Sequence, residues 1–371
     1  MKIGLVTIYS VPNYGSVLQA FATQTLLQKM GHDCRIIDYA YPNKWHFKHG
    51  FKQPTPFRRL LNSIMVMMGT KAPYRKQKLL ADFRRKYYCL TKKYTDYNHL
   101  QREDWNEFDL IAVGSDQVWN PSYHKGDKAF LLSFLPDTIK RISIASSFAI
   151  IKLPELYEEK YREGLKLFSS ISVREEDGVK IINQQLGINK SVFVCLDPTL
   201  LLSREDYTNT FQRTIISRRP YILYYMWGYA FEPRPYIYEV VEYWKRQLRI
   251  DEVIALEGYS KDRCEMKNAE DSSIPKFIDY FSNASLVITS SFHGTAFALN
   301  FSRPLISIVP NNNYDNRQRS LCHSLGVDNC IVEVGQNLQI INPYYDVDKL
   351  AIKIEEKREQ CIKWIENAIR Q

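Results

Sequence analysis

The sequence predicts an open α/β fold of two domains facing each other across a cleft, and three observations lead there. Strand-like and helix-like stretches alternate along the whole chain. A polar passage at 208–220, carrying Arg213, Arg218 and Arg219, interrupts the alternation once, and a second α/β series then begins. The 371 residues suit two domains of ordinary size, each able to bury a core.

Residues 2–9 read as a first strand, 16–30 as an amphipathic helix with Gly31 at its C-cap, and 34–41 as the next strand. That βαβ unit implies a parallel sheet with a right-handed crossover. Beyond a basic insertion at 44–103, residues 108–113, 141–148 and 171–174 read as short buried strands. A helix over 179–186 and a strand over 192–196 follow. The second series has strands at 221–227, 252–256, 286–289 and 304–309, with helices at 236–248, 275–282 and 295–300. Residues 346–369 form a long, charged, amphipathic C-terminal helix. The resulting limits are 1–207 including the insertion, 208–345, and 346–371 for the final helix.

Composition excludes several classes. Apolar residues make up 45% and charged residues 25%, ordinary values for a globular chain. No run approaches 18 apolar residues, so no transmembrane helix is expected. The first apolar run is short and passes directly into Tyr9-Ser10-Val11-Pro12-Asn13, as a strand does and a signal peptide does not. Seven scattered cysteines without a Cys-x-x-Cys pair fit reduced thiols in a cytoplasmic protein, with neither a disulfide framework nor a zinc site.

The net charge of +9 is unevenly spread. Residues 44–103 hold fifteen Lys/Arg against three acids, an excess of +12, which leaves the rest of the chain near −3. Such a segment calls for an anionic partner, either a phospholipid surface or a pyrophosphate-linked substrate. Within it, Arg58-Arg59 precede a Met-rich apolar stretch ending at Met68, which suits a membrane interface or equally a core-facing helix. No recognisable module and no regular interleaving of aromatics with cations point to nucleic acid.

Four polar clusters fall at strand ends, where ligands of such sheets bind. The first, Asn13-Tyr14-Gly15-Ser16, opens a helix whose N-terminus favours an anion, although a plain turn capped by Ser16 needs no ligand. The second, Ser115-Asp116-Gln117-Val118-Trp119-Asn120, offers donors, acceptors and an indole that suit a sugar. Its alternative is an Asp-capped turn with Trp119 in the core. In the third, Arg174 ends a buried strand and requires neutralisation by Glu175, Asp177 or an anionic ligand. The fourth, Ser290-Ser291-Phe292-His293-Gly294-Thr295, gathers hydroxyls, an imidazole and a glycine at a helix start, which suits a phosphate or carboxylate. His293 is the residue most readily tuned to move protons near neutral pH. Arg317 and Arg319 add cations on a nearby polar stretch.

In this order and spacing, these clusters together with Leu196-Asp197-Pro198-Thr199-Leu200-Leu201 resemble the polysaccharide pyruvyl transferase family over residues 13 to about 320. The resemblance implies a GT-B-like fold and transfer of pyruvate from phosphoenolpyruvate to two hydroxyls of a sugar, with no cofactor or metal. It implies Arg174 and the 290–295 turn as donor ligands and His293 as acid or base. Asp116 is the candidate base for the sugar hydroxyl, and the first two clusters would form the acceptor side. Many relatives place an arginine two residues before the histidine. This chain has Ser291, so donor binding would fall to Arg317, Arg319 or another cation. A nucleotide-sugar transferase of the same architecture and a non-catalytic glycan-assembly protein are the rival readings. The expected partners are phosphoenolpyruvate, a saccharide acceptor carried on a lipid pyrophosphate, and the inner face of the cell membrane.

Overall fold

A computed structural model describes residues 1–39, 61, 64, 65, 67, 68, 72–211, 219–226, 231–258, 265–312 and 316–371. The chain divides into two units. One comprises 1–64, 83–201 and 358–371, the other 65–82 and 202–357.

The first unit is built on a parallel sheet of β1 (Lys2–Val6), β2 (Asp33–Tyr39), β3 (Leu90–Tyr94), β4 (Leu110–Val113) and β5 (Lys140–Ser143), in the order β3-β2-β1-β4-β5. Its central strands are apolar on both faces, as expected where crossovers cover a parallel sheet twice. All four residues of β4 are buried. The helix Tyr14–Lys29 makes the crossover from β1 to β2, and Gly31 follows it at φ +86°. A short parallel pair, β6 (Ile171–Val173) and β7 (Val192–Val194), continues beside β5 through isolated bridges at Ile142–Ser170 and Ser146–Val173. Trp105, Trp119, Phe130, Phe148, Tyr161 and Phe168 fill the core between these layers. The end of the helix Val347–Arg370 belongs here too: Trp364 stacks on Phe193 at 5.3 Å, and Arg358 donates to the Leu200 carbonyl at 2.9 Å.

The second unit repeats the plan. β8 (Tyr221–Tyr225), β9 (Glu252–Glu257), β10 (Lys267–Asn268), β11 (Leu286–Thr289), β12 (Leu305–Val309) and β13 (Ile331–Glu333) form a parallel sheet ordered β10-β9-β8-β11-β12-β13.

The sequence reading set the boundary at 207/208. In the structure, Tyr207 packs on Phe297 at 5.5 Å and Asn300 donates to the Leu202 carbonyl at 2.9 Å, so 202–211 pack with the second unit. Most of the polar passage read at 208–220, residues 212–218, lies outside the described residues. Part of the basic insertion packs there as well, through an Arg75–Asp271 ion pair at 2.5 Å and a Lys76–Glu257 pair. The strand expected over 141–148 ends at Ser143, because the chain turns at Ala145 (φ 52°). The helix expected over 295–300 begins three residues earlier, at Phe292. Strands β3, β10 and β13 were not anticipated, being polar at the edge or only two or three residues long.

Candidate functional site

Each sheet has a switch point, where crossovers leave neighbouring strands in opposite directions and open a crevice at their carboxyl ends. In the first unit it lies between β1 and β4, and in the second between β8 and β11. The first two polar clusters follow β1 and β4, and the fourth follows β11. Topology therefore puts three of the four clusters where an open α/β sheet binds ligands.

At the first switch point Asn13, not Ser16, caps the helix: its Oδ1 accepts the Ser16 N–H at 3.0 Å. That leaves the Ser16 hydroxyl to donate to Asp116 Oδ2 at 2.6 Å, joining the first two clusters. Asp116 sits at φ 69°, a left-handed conformation that its side chain supports by accepting the Gln117 N–H on Oδ1 at 2.9 Å. Its carbonyl accepts from Val118 and Ser147, so the turn is fixed from both sides. Gln19, overlooked in the sequence, reaches back from the helix to the Ile8 carbonyl at 2.8 Å and to Thr7 Oγ1 at 3.0 Å. Tyr14 and Gly15 are buried at the head of that helix.

Two residues proposed for sugar contact hold the loop together. Trp119 is fully buried, packs on Phe148 and Phe168, and donates its indole N–H to the Phe130 carbonyl at 2.9 Å. It is a core residue and presents no face to a sugar. Asn120 caps the short helix Pro121–His124 and donates to Gln117 Oε1 at 2.8 Å.

Arg174 pairs with Glu175, one of the partners the sequence offers, and more closely with Asp197, to which the sequence reading gave no such role. Arg174 donates to Asp197 Oδ2 at 2.7 Å, with side-chain exposures of 1% and 0%. The same oxygen accepts the Ser115 hydroxyl at 2.9 Å, and Oδ1 accepts the Thr199 N–H and hydroxyl. Glu175 lies 3.7 Å from Arg174 and accepts from Ser147, Phe148 and Ala149. Asp177 instead pairs with Lys180. The Asp197-Pro198-Thr199 motif therefore supplies the nearer partner, and it ties the second cluster to the third. The signal available in the sequence was a carboxylate directly after the strand read over 192–196.

At the second switch point Ser291 is the N-cap, accepting the Gly294 N–H at 3.3 Å. Thr289 Oγ1 accepts the Ser291 N–H at 3.0 Å and donates to the Tyr225 carbonyl at 2.6 Å, binding the turn to β8. His293 thus stands in the first turn of a helix, among N–H groups that favour negative charge. Gly294 is required by space: a Cβ there would overlap Thr289 Oγ1 and lie 2.8 Å from Tyr225 Cδ1. Thr295 shares a 2.7 Å hydrogen bond with Ser307, which also accepts from Gln318. The Arg317 guanidinium lies over the Phe292 ring at 5.9 Å, so a cation does reach this turn although position 291 carries none. Arg319 is held elsewhere, by the Pro310 carbonyl and Glu333, both at 2.9 Å. Ser290 is buried beside the cap, its N–H on the Tyr225 carbonyl.

Among the described residues no group of three or more His, Cys, Asp or Glu is placed to hold a metal ion. No described helix is long and apolar enough to cross a membrane.

Comparison with known proteins fits this geometry. No curated protein matches the sequence. Among solved structures, a Listeria monocytogenes protein assigned as a UDP-N-acetylglucosamine 2-epimerase is similar at TM-score 0.50 and 11% identity, covering 97% of this chain and 90% of its own. A UDP-GlcNAc 2-epimerase from Neisseria meningitidis, bound to UDP-GlcNAc, is similar at TM-score 0.48 and 12% identity, covering 98% and 94%. At such identities likeness is of fold alone, and the fold is the GT-B-like pair of α/β units. The model of the family described as polysaccharide pyruvyl transferase matches residues 13–312, a span that includes both switch-point turns and the Arg174–Asp197 pair. The chain belongs to the polysaccharide pyruvyl transferase family and is a transferase.

Proposed function

We propose that the protein moves pyruvate from phosphoenolpyruvate to two hydroxyls of a saccharide, forming a cyclic ketal and releasing phosphate. The observation that carries the reading is the buried first helical turn at 291–295, which holds His293 among N–H groups with Arg317 alongside. A carboxylate and a phosphate on one small donor call for such a setting of N–H groups and a guanidinium.

In this reading His293 delivers a proton to the methylene carbon of the enol, which becomes a methyl group. The adjacent carbon gains oxocarbenium character and takes the oxygen of the first hydroxyl, whose proton leaves to a base. Oxygen of the second hydroxyl then bonds to the same carbon as the carbon–oxygen bond to phosphate breaks, and the departing phosphate keeps the electron pair and takes the second hydroxyl's proton. Asp116 is the first unit's candidate base, with Ser16 fixing its carboxylate. The buried Arg174–Asp197 pair supports the loops of the first unit, and the donor cation assigned to Arg174 passes to Arg317.

Calorimetric titration with phosphoenolpyruvate tests the assignment. Saturable binding, weakened at least tenfold in Arg317→Ala and retained in His293→Gln, is expected, together with phosphate release that depends on a saccharide. Binding of UDP in place of phosphoenolpyruvate would favour the nucleotide-sugar reading. Undiminished function in His293→Gln would favour a non-catalytic role.

The same proposal brings the acceptor to the protein on an anionic membrane. Lys78, Arg85 and Lys86 are exposed on the helix Ala72–Tyr87, and Leu61, Ile64, Met67 and Met68 are exposed before it. The rest of the Arg58–Met68 patch lies outside the described residues.

A further inference from the structure

Beside the first switch point, at the carboxyl ends of β1 and β2, stands a group of side chains that the mechanism above does not use. Tyr9 follows β1, Asp38 lies near the end of β2, Arg84 stands in the last turn of the helix Ala72–Tyr87, and Tyr88 follows that helix. Tyr9 donates its hydroxyl to Asp38 Oδ1. The Tyr9 and Tyr88 rings meet edge-on at 6.0 Å, and Tyr88 donates to the Val17 carbonyl at 2.7 Å. Arg84 is packed into this group, with Phe83 and Tyr87 anchoring its helix on Phe21 at 5.6 and 5.8 Å.

Arg84 is poorly compensated for a cation so placed. Its one hydrogen bond among the described residues is a long 3.4 Å contact from Nη1 to the Ser10 carbonyl, and it forms no ion pair with a described carboxylate. Burial lowers its guanidinium pKa below the ordinary range, and the fields of Tyr88, Tyr9 and Asp38 oppose this. Arg84 is half-buried, and drawing an arginine partly out of water without a carboxylate at contact distance carries a cost that a bound oxyanion, with matching fork-shaped geometry, offsets. Ser10, which Arg84 touches, leads directly into the Asn13–Ser16 turn. Asp38 keeps a second oxygen, suited to accepting a sugar hydroxyl.

We propose that Arg84 and Asp38 form an acceptor subsite for a saccharide carrying an oxyanion, Arg84 taking the phosphate or carboxylate and Asp38 a hydroxyl. Its assignment to the acceptor rests on the pyruvyl-transfer reading; the oxyanion site itself does not. Arg84 thereby sets acceptor specificity.

The test is calorimetric titration of the full chain with glucose 1-phosphate, glucuronate and methyl glucoside, each with and without saturating phosphoenolpyruvate. The wild type is expected to bind one or both anionic sugars at least tenfold more tightly than the neutral one. Arg84→Gln is expected to remove that preference while leaving phosphoenolpyruvate affinity within twofold. A preference for glucose 1-phosphate indicates a phosphate source such as a lipid-linked sugar, and one for glucuronate indicates an acidic sugar residue. Should Arg84→Gln fail to fold, Arg84→Lys and Asp38→Asn are read instead: the first should retain a weakened preference and the second lose affinity for all three sugars. Equal binding of charged and neutral sugars by the wild type, or an undiminished preference in the variants, overturns the subsite. Loss of phosphoenolpyruvate binding in the wild type with the anionic preference intact overturns the pyruvyl-transfer reading instead.

Discussion

His293 and Gly294 are neighbours with separable duties. His293 holds the candidate proton, and one well-placed acid or base contributes about 10²–10⁴-fold. His293→Gln should lower kcat by that order with a melting temperature close to wild type, measured by phosphate release and thermal unfolding. Gly294 has no room for a side chain against Thr289 and Tyr225. Gly294→Ala should therefore cost about 1–3 kcal/mol in denaturant unfolding, as overpacking does, and distort the turn carrying His293. Asp127 gives a pH-dependent case. Burial raises its carboxyl above the ordinary range while it accepts the Ala129 N–H and the Tyr39 hydroxyl. A raised folded-state value means that the ionised group destabilises at neutral pH, and that this cost fades as pH falls through the raised value toward the unfolded one. Asp127→Asn, whose remaining oxygen can accept the Ala129 N–H while its amide donates to the Tyr39 hydroxyl oxygen, should melt higher than wild type at pH 7, with the gap closing as the solution is acidified.

At the scale of elements, the loops after β4, β5, β6 and β7 are knotted into one polar network. Asp197 receives Arg174, Ser115 and Thr199, while Glu175 receives three donors from 147–149. Removing one member of a buried ion pair leaves the other charge uncompensated and typically costs about 3–5 kcal/mol. Asp197→Ala should show a loss of that size in urea unfolding, followed by loss of activity as the Asp116 turn loosens. These contacts explain why the third cluster looked like a ligand site: a buried arginine needs an anion, and its partner lies 23 residues away in sequence. Helix starts were similarly ambiguous. Asn13 and Ser16 are both good caps, and only the Ser16–Asp116 bond, made across 100 residues, settles which one caps.

At the scale of the whole molecule, the basic insertion is not one surface. Lys76 is tied to Glu257 and Arg84 is packed beside Tyr9, while Lys78, Arg85 and Lys86 are exposed on the same helix. Neutralising Lys78 and Lys86 should reduce sedimentation with anionic vesicles at low salt, with little effect on neutral vesicles or on thermal stability. Unchanged sedimentation would remove the membrane from the proposal. The sequence by itself determined the alternation of strands and helices, the parallel sheets and the order of the polar turns, because periodicity and turn chemistry act over a few residues. It also marked His293, Asp116 and Ser16, as members of polar clusters on the turns that follow buried strands. Only the tertiary structure decided that Trp119 belongs to the core, that Asp197 holds Arg174, and that Arg317 rather than Arg319 attends the His293 turn. Those outcomes depend on which distant groups meet in a dehydrated interior, where each buried charge and N–H must find a partner, and a linear pattern carries no record of such meetings.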